Sequence, residues 1–97
     1  MPTSLARVQT AEASRYLQQL CRHWSHKFPV ESTPEFGTVP FGEDRVCTFE
    51  AEPDALLMRI RTTDPAGLTR LENVVSDHLT RFAFRESLGE ITWSRAA

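Results

Sequence analysis

Between Cys21 and Phe28 the chain reads CRHWSHKF, which puts one thiol, two imidazoles and an indole within eight residues. Imidazole nitrogens bind transition metals, relay protons and ligate haem iron, and a thiolate is both a nucleophile and a soft metal ligand. Whether these groups act together depends on the helix that carries them. At 100° per residue, His23 lies about 60° to one side of Leu20 and Cys21 about 100° to the other, so the pair cannot share a metal within one helix. His26 lies about 60° beyond His23, and side chains at i, i+3 are surface neighbours. His23 and His26 thus supply half of a tetrahedral site, and His78, the remaining histidine in the chain, is the candidate third ligand. Zinc, iron, or a haem iron held by one or two imidazoles would suit such a site. The plainer expectation is that all three histidines are spacers, hydrogen-bonding at the margin between an apolar stripe and solvent, with no cofactor bound.

Other chemistry is sparse. Cys47 alternates with Phe49 and Ala51, which places it on the core face of a strand as a small buried thiol. Cys21 flanks the apolar stripe without a base beside it. Asp77 and His78 are adjacent, but neighbouring helical residues diverge by 100°, and no nucleophile elbow accompanies them. The glycines stand apart at 37, 42, 67 and 89, so there is no phosphate-cradling loop. Neither a Cys-x-x-Cys pair nor a haem-attachment motif is present. No residue is assigned a catalytic role, and a binding function is expected rather than an enzymatic one.

Length and composition narrow the classes further. Ninety-seven residues are enough for one core and too few for two, so residues 1–97 are expected to form a single domain. With 40% hydrophobic and 25% charged residues, the chain has the balance of a soluble globular protein. No apolar run approaches the roughly eighteen residues of a spanning helix, and MPTSLARVQT lacks the apolar centre of a signal peptide. A cytoplasmic location without membrane association is expected, with both cysteines reduced. A net charge of −2 argues against nucleic acid, since phosphate-backbone affinity needs clustered Lys and Arg.

The elements that must position these residues follow from capping and periodicity. Thr10, Ala11 and Glu12 read as a helix start, and the pattern continues to Pro29 with Ala13, Leu17, Leu20 and Trp24 on one stripe. The segments EFGTVPF, RVCTFEA and ALLMRIRT, separated by GED and EPD, read as a three-strand meander. Pro40 cannot donate a ladder bond and belongs at an edge or a bulge. Asp64 and Pro65 cap a second helix that carries Leu68, Leu71, Val75, Leu79 and Phe82 on one face and ends near Phe84 or Arg85. Asp77 and Arg81 are spaced to pair across one turn. EITWS reads as a last strand, and residues 1–9 as a loose or strand-like lead-in.

The predicted fold is therefore α+β: a two-layer sandwich in the order α-β-β-β-α-β, with two helices on one face of a mainly antiparallel four-stranded sheet. That arrangement leaves one sheet face open, bearing Arg59, Arg61, Thr48 and Glu50, a surface suited to a homodimer or another protein partner. Arg15, Arg22 and His26 on the first helix, and Arg81 and Arg85 late on the second, are candidate anion or partner surfaces.

The runs ASRYLQQLCRHWSHKFPVE, EAEPDALLMRI and DHLTRFAFRE resemble the small bacterial family catalogued as domain of unknown function 2218. The likeness spans nearly the whole chain. It implies a short bacterial accessory protein, associated with siderophore-interacting flavoprotein reductases and through them with iron metabolism. The matching positions are His23, Trp24, His26 and Lys27 on the first helix, and Asp77, His78, Arg81, Phe82, Arg85 and Glu86 around the second. The family supplies no catalytic roles to carry across. A ligand or partner surface would draw on Trp24, Lys27, Arg81 and Arg85.

Overall fold

The computed structural model describes residues 2–96; residues 1 and 97, the two ends of the expected single unit, lie outside them. The elements run β1 (Thr3–Gln9), α1 (Ala13–Ser25), β2 (Glu31–Ser32), β3 (Phe36–Gly42), β4 (Arg45–Glu52), β5 (Ala55–Thr62), α2 (Pro65–Phe82) and β6 (Ser94–Ala96). They build an antiparallel sheet in the order β2-β3-β4-β5-β1-β6, with α1 lying over β3, β4 and β5 and α2 over β5 and β1. The α+β class, the two helices and the antiparallel sheet are as predicted. The four-strand sheet and its element order are not: the sheet has six strands, and a strand precedes the first helix.

That strand, β1, pairs with β5 along its whole length, from Thr3 opposite Arg61 to Gln9 opposite Ala55. It sits inside the sheet, although its sequence reads weakly. Its inward residues are Ser4, Ala6 and Val8, whereas its largest apolar residue, Leu5, faces outward and is 38% exposed. The alternation that announces a half-buried strand is thereby blunted. At the other end, the last strand comes later than EITWS, and of that run only Ser94 belongs to it. Trp93 donates its indole N–H to Ser76 Oγ on α2 at 2.8 Å and, with Ile91, packs against the core, so pairing to β1 begins only at Ser94.

Helix boundaries shift for local reasons. Thr10 does not cap α1. Its hydroxyl accepts the Glu12 N–H at 3.0 Å and donates to Glu86 Oε1 at 2.9 Å, so the helix starts at Ala13, with Glu12 in the N-cap position. α2 begins as expected, with Asp64 extended and Pro65 in the first turn. It ends at Phe82, short of Arg85, and no Asp77–Arg81 ion pair forms among the described residues. The ladder between β3 and β4 is irregular between Pro40 and Gly42, where the proline lacks a donor. No helix is long and apolar enough to cross a membrane.

The core fills the space between the helices and the covered sheet face. Leu17, Leu20 and Trp24 from α1 meet Val39, Cys47 and Phe49 from the sheet, and Leu68, Val75 and Leu79 from α2 meet Ile60 and Met58. The Trp24 and Phe49 rings stack with centroids 6.1 Å apart and planes 17° from parallel. Truncating a buried aromatic of this kind costs about 3–5 kcal/mol.

At one point α1 touches backbone. A Cβ built on Gly37 would sit 2.5 Å from Cys21 Sγ, closer than van der Waals contact allows, so glycine is what lets β3 run beneath this turn of the helix. Gly37→Ala is expected to lower stability by roughly 1–3 kcal/mol in chemical denaturation. Cys21→Ala in the same chain should recover part of that loss, because it removes the atom in conflict.

A carboxylate fastens the last strand. Glu72 on α2 accepts from Ser4 Oγ at 2.6 Å and from Arg95 Nε at 3.0 Å, tying α2 to β1 and β6. Burial works to raise the Glu72 pKa, but the hydrogen bonds from Arg95 and Ser4 outweigh it and hold the carboxyl below its ordinary range. A depressed carboxylate contributes stability above the unfolded value and loses it as the pH falls through the folded one. Glu72→Gln is therefore expected to lower Tm by a few degrees at neutral pH and to flatten the acid limb of a Tm-against-pH profile.

Candidate functional site

α1 and α2 lie side by side on the sheet, and the margins where they meet carry His23 and His78. Trp24, one residue beyond His23, turns inward and is 5% exposed, while His23 stays at the surface. This is the split that helix geometry predicts. Cys21 is buried on the opposite flank, against Gly37.

The two imidazoles come together. Their ring centroids are 4.9 Å apart with planes at 52°, over an aromatic floor in which Trp24 is 5.0 Å from His78 and Phe82 is 5.8 Å from His23. His78 Nδ1 is 2.7 Å from the Val74 carbonyl oxygen. A carbonyl can only accept, so Nδ1 carries the hydrogen and Nε2 becomes the lone-pair nitrogen of the neutral ring. His23 is held below the usual histidine pKa, first by partial desolvation of its ring and then by electrostatic repulsion from its neighbours His78, His26 and Arg81.

His26 does not join the pair. It is exposed and makes no ring contact among the described residues, because the helix carries it about 60° further round and away from α2. Among the described residues no three His, Cys, Asp or Glu side chains lie close enough to hold one metal ion. The expected set of His23, His26 and His78 thus reduces to two imidazoles. A haem between them does not fit either. Two axial imidazoles need the macrocycle between them and metal–nitrogen bonds of about 2 Å on each side, whereas these rings are nearly in contact.

The remaining sequence-derived positions scatter. Lys27 is exposed just past the end of α1. Arg81 is exposed on α2 and is felt at His23 through its charge. Arg85 lies beyond α2 with its guanidinium 5.4 Å from the centre of the exposed Phe84 ring, outside the imidazole cluster. Glu86 is an anchor, accepting from the Tyr16 hydroxyl at 2.6 Å and from Thr10, which fastens the segment after α2 to the start of α1. Burial, followed by that carboxylate, pushes the Tyr16 phenol up to about 12. Burial also raises Cys21 to about 11 and Cys47 well above the thiol range, so both thiols are poor nucleophiles.

The second feature is the sheet face that the helices leave open. It forms a concave groove of about 750 Å³ lined by Leu5, Phe36, Val46 and Leu57 together with Thr48, Glu50, Arg7, Arg59 and Arg61. Arg59 stands between Leu5 on β1 and Thr48 on β4, and Arg61 between Thr3 and Val46. Arg7 is engaged by Asp54 at 3.6 Å, whereas neither Arg59 nor Arg61 forms an ion pair among the described residues. Sequence reasoning found Arg59, Arg61, Thr48 and Glu50 on this face but missed Leu5, Arg7 and Phe36. The first two lie in residues 1–9, read from sequence only as a loose or strand-like lead-in with no face assigned. The alternating Leu5-Ala6-Arg7-Val8 was the one available signal.

An NMR titration checks the imidazole geometry: the His23 ring is expected to titrate below the usual histidine range, and His78→Ala to move it upward. The folded chain then binds that proton less readily than the unfolded chain. Stability should decline as the pH falls through the ordinary histidine range.

The NMR structure of PA4090 from Pseudomonas aeruginosa is 48% identical to this chain, covers 97% of it with 96% of its own length, and superposes with a TM-score of 0.81. No curated protein matches. Neither the family description nor the name of that solved structure states a ligand, a metal or a reaction. A family model described as an uncharacterized protein conserved in bacteria matches residues 5–94, and the chain belongs to that family, DUF2218.

Proposed function

We propose that this chain is a non-enzymatic binding domain that takes an amphipathic organic anion on the open face of its sheet. The observation that carries this reading is the groove itself: a largely apolar concavity with two arginines, Arg59 and Arg61, that form no ion pair among the described residues, Glu50 being the one acid in its lining. Its volume falls within the range of small-molecule sites, about 300–1,000 Å³, which are mostly apolar with a few placed polar groups. Leu5, Leu57 and Phe36 would receive a hydrocarbon or aromatic body. Arg59 and Arg61, two residues apart on one strand, would face its carboxylate or phosphate, and guanidinium groups match such oxyanions bidentately. Three arginines line the groove against Glu50 and the Asp54 that engages Arg7, so Arg59 and Arg61 leave a local field that favours an anion although the chain as a whole is at −2.

A second copy of the chain suits the face less well. β5 is an interior strand, so a two-fold axis through the groove would set Arg59 and Arg61 against their own mates.

Decanoate, decyltrimethylammonium and decanol serve as probes below their micellar concentrations, with amide shifts read by NMR. Decanoate is expected to move resonances of β1, β4 and β5 saturably and to bind more tightly than either of the other two. The Arg59→Ala/Arg61→Ala variant should weaken it by about tenfold or more, the worth of a charge-assisted contact. Equal binding of the cationic probe, shifts confined to the helices, or shifts that follow protein concentration without ligand would each overturn the proposal, the last in favour of self-association.

A further inference from the structure

We propose that His23 and His78 together bind one late first-row transition-metal ion, Cu²⁺ most tightly, on the helical side of the molecule. The site is independent of the groove. Three observations support it. The first is the 4.9 Å between ring centroids. With metal–nitrogen bonds of about 2 Å, two imidazoles on one ion at an angle of about 100° place their ring centres at that separation. The second is the hydrogen bond from His78 Nδ1 to the Val74 carbonyl, which leaves Nε2 as the donor atom. Metal-ligating histidines are oriented and made more basic by such a bond. The third is that His23 is exposed, so the ion and its remaining water ligands have a path in.

Arg81 is exposed on the same helix as His78 and its charge opposes a cation, and with only two protein ligands the expected affinity is modest. No carboxylate or thiolate completes a set of three among the described residues, so hard ions such as Mg²⁺ and Ca²⁺ are not favoured. For nitrogen ligands the order is Cu²⁺ above Ni²⁺ and Zn²⁺.

Trp24 provides the readout, since its ring lies 5.0 Å from His78 and 6.0 Å from His23. Tag-free protein carrying Trp93→Phe leaves Trp24 as the single fluorophore of its type, and bound Cu²⁺ should quench it. The expected result is one equivalent of Cu²⁺, a loss of affinity of about tenfold or more in His23→Ala and in His78→Ala, and no change in His26→Ala or with Mg²⁺. Paramagnetic broadening of the His23 and His78 ring signals should accompany it. If His78→Ala does not fold, the exposed His23→Ala decides alone. Wild-type affinity in His23→Ala, an equal loss in His26→Ala, or the absence of Cu²⁺ binding overturns the proposal. The decanoate titration reads the other face, so its outcome does not bear on this one.

Discussion

The pairing of β1 with β5 is the interaction on which the rest of the molecule depends. Seven consecutive residue pairs, from Thr3 opposite Arg61 to Gln9 opposite Ala55, join the beginning of the chain to a strand far along it. Closing so long a loop costs conformational entropy that local structure cannot offset, and a ladder with a buried face beneath it can. Once formed, the ladder places Ser4 below Glu72 and offers an outer edge to β6. It brings Thr10 to Glu86 and so sets where α1 starts. It also completes the open face, because Leu5 and Arg7 come to stand beside Arg59 and Leu57.

From that sheet follows a molecule with two unlike sides. The helices cover one face only, and the apolar residues of alternate positions on β4, β5 and β1 are spent beneath them. The other face is left with what the opposite parity holds: leucines, a valine and a phenylalanine interleaved with arginines. A sheet face left to water usually carries polar residues. The mixture of apolar side chains with Arg59 and Arg61, which form no ion pair among the described residues, is the physical reason to propose this face as a binding surface.

On the helical side, Trp24 links core and surface. One side of the indole stacks on Phe49, and its neighbours at the surface are His78 and His23. The imidazole pair therefore rests on a well-packed floor, while its upper side meets solvent. The thiol that shares a stretch of sequence with His23 takes the opposite fate, since Cys21 is buried, raised in pKa and pressed against Gly37, and Cys47 on β4 is likewise buried and raised.

By itself the sequence determined what depends on short-range periodicity. The two helices, the three-strand meander, the inward turn of Trp24 and the divergence of Cys21 from His23 all follow from spacings of 3.6 or 2 residues, which few alternative folds could change. The irregularity at Pro40 and the start of α2 at Asp64-Pro65 were legible for the same kind of reason, one residue's stereochemistry. Only the tertiary structure decided what depends on partners far along the chain. β1 is a strand because β5 lies beside it, not because Ser4, Ala6 and Val8 demand one. Residues 90–93 stay outside the last strand because Trp93 finds Ser76. His23 meets His78, fifty-five positions along the chain, and His26 does not, because the lateral placement of the two helices is set by how each packs on the sheet. No local pattern in the chain encodes that distance.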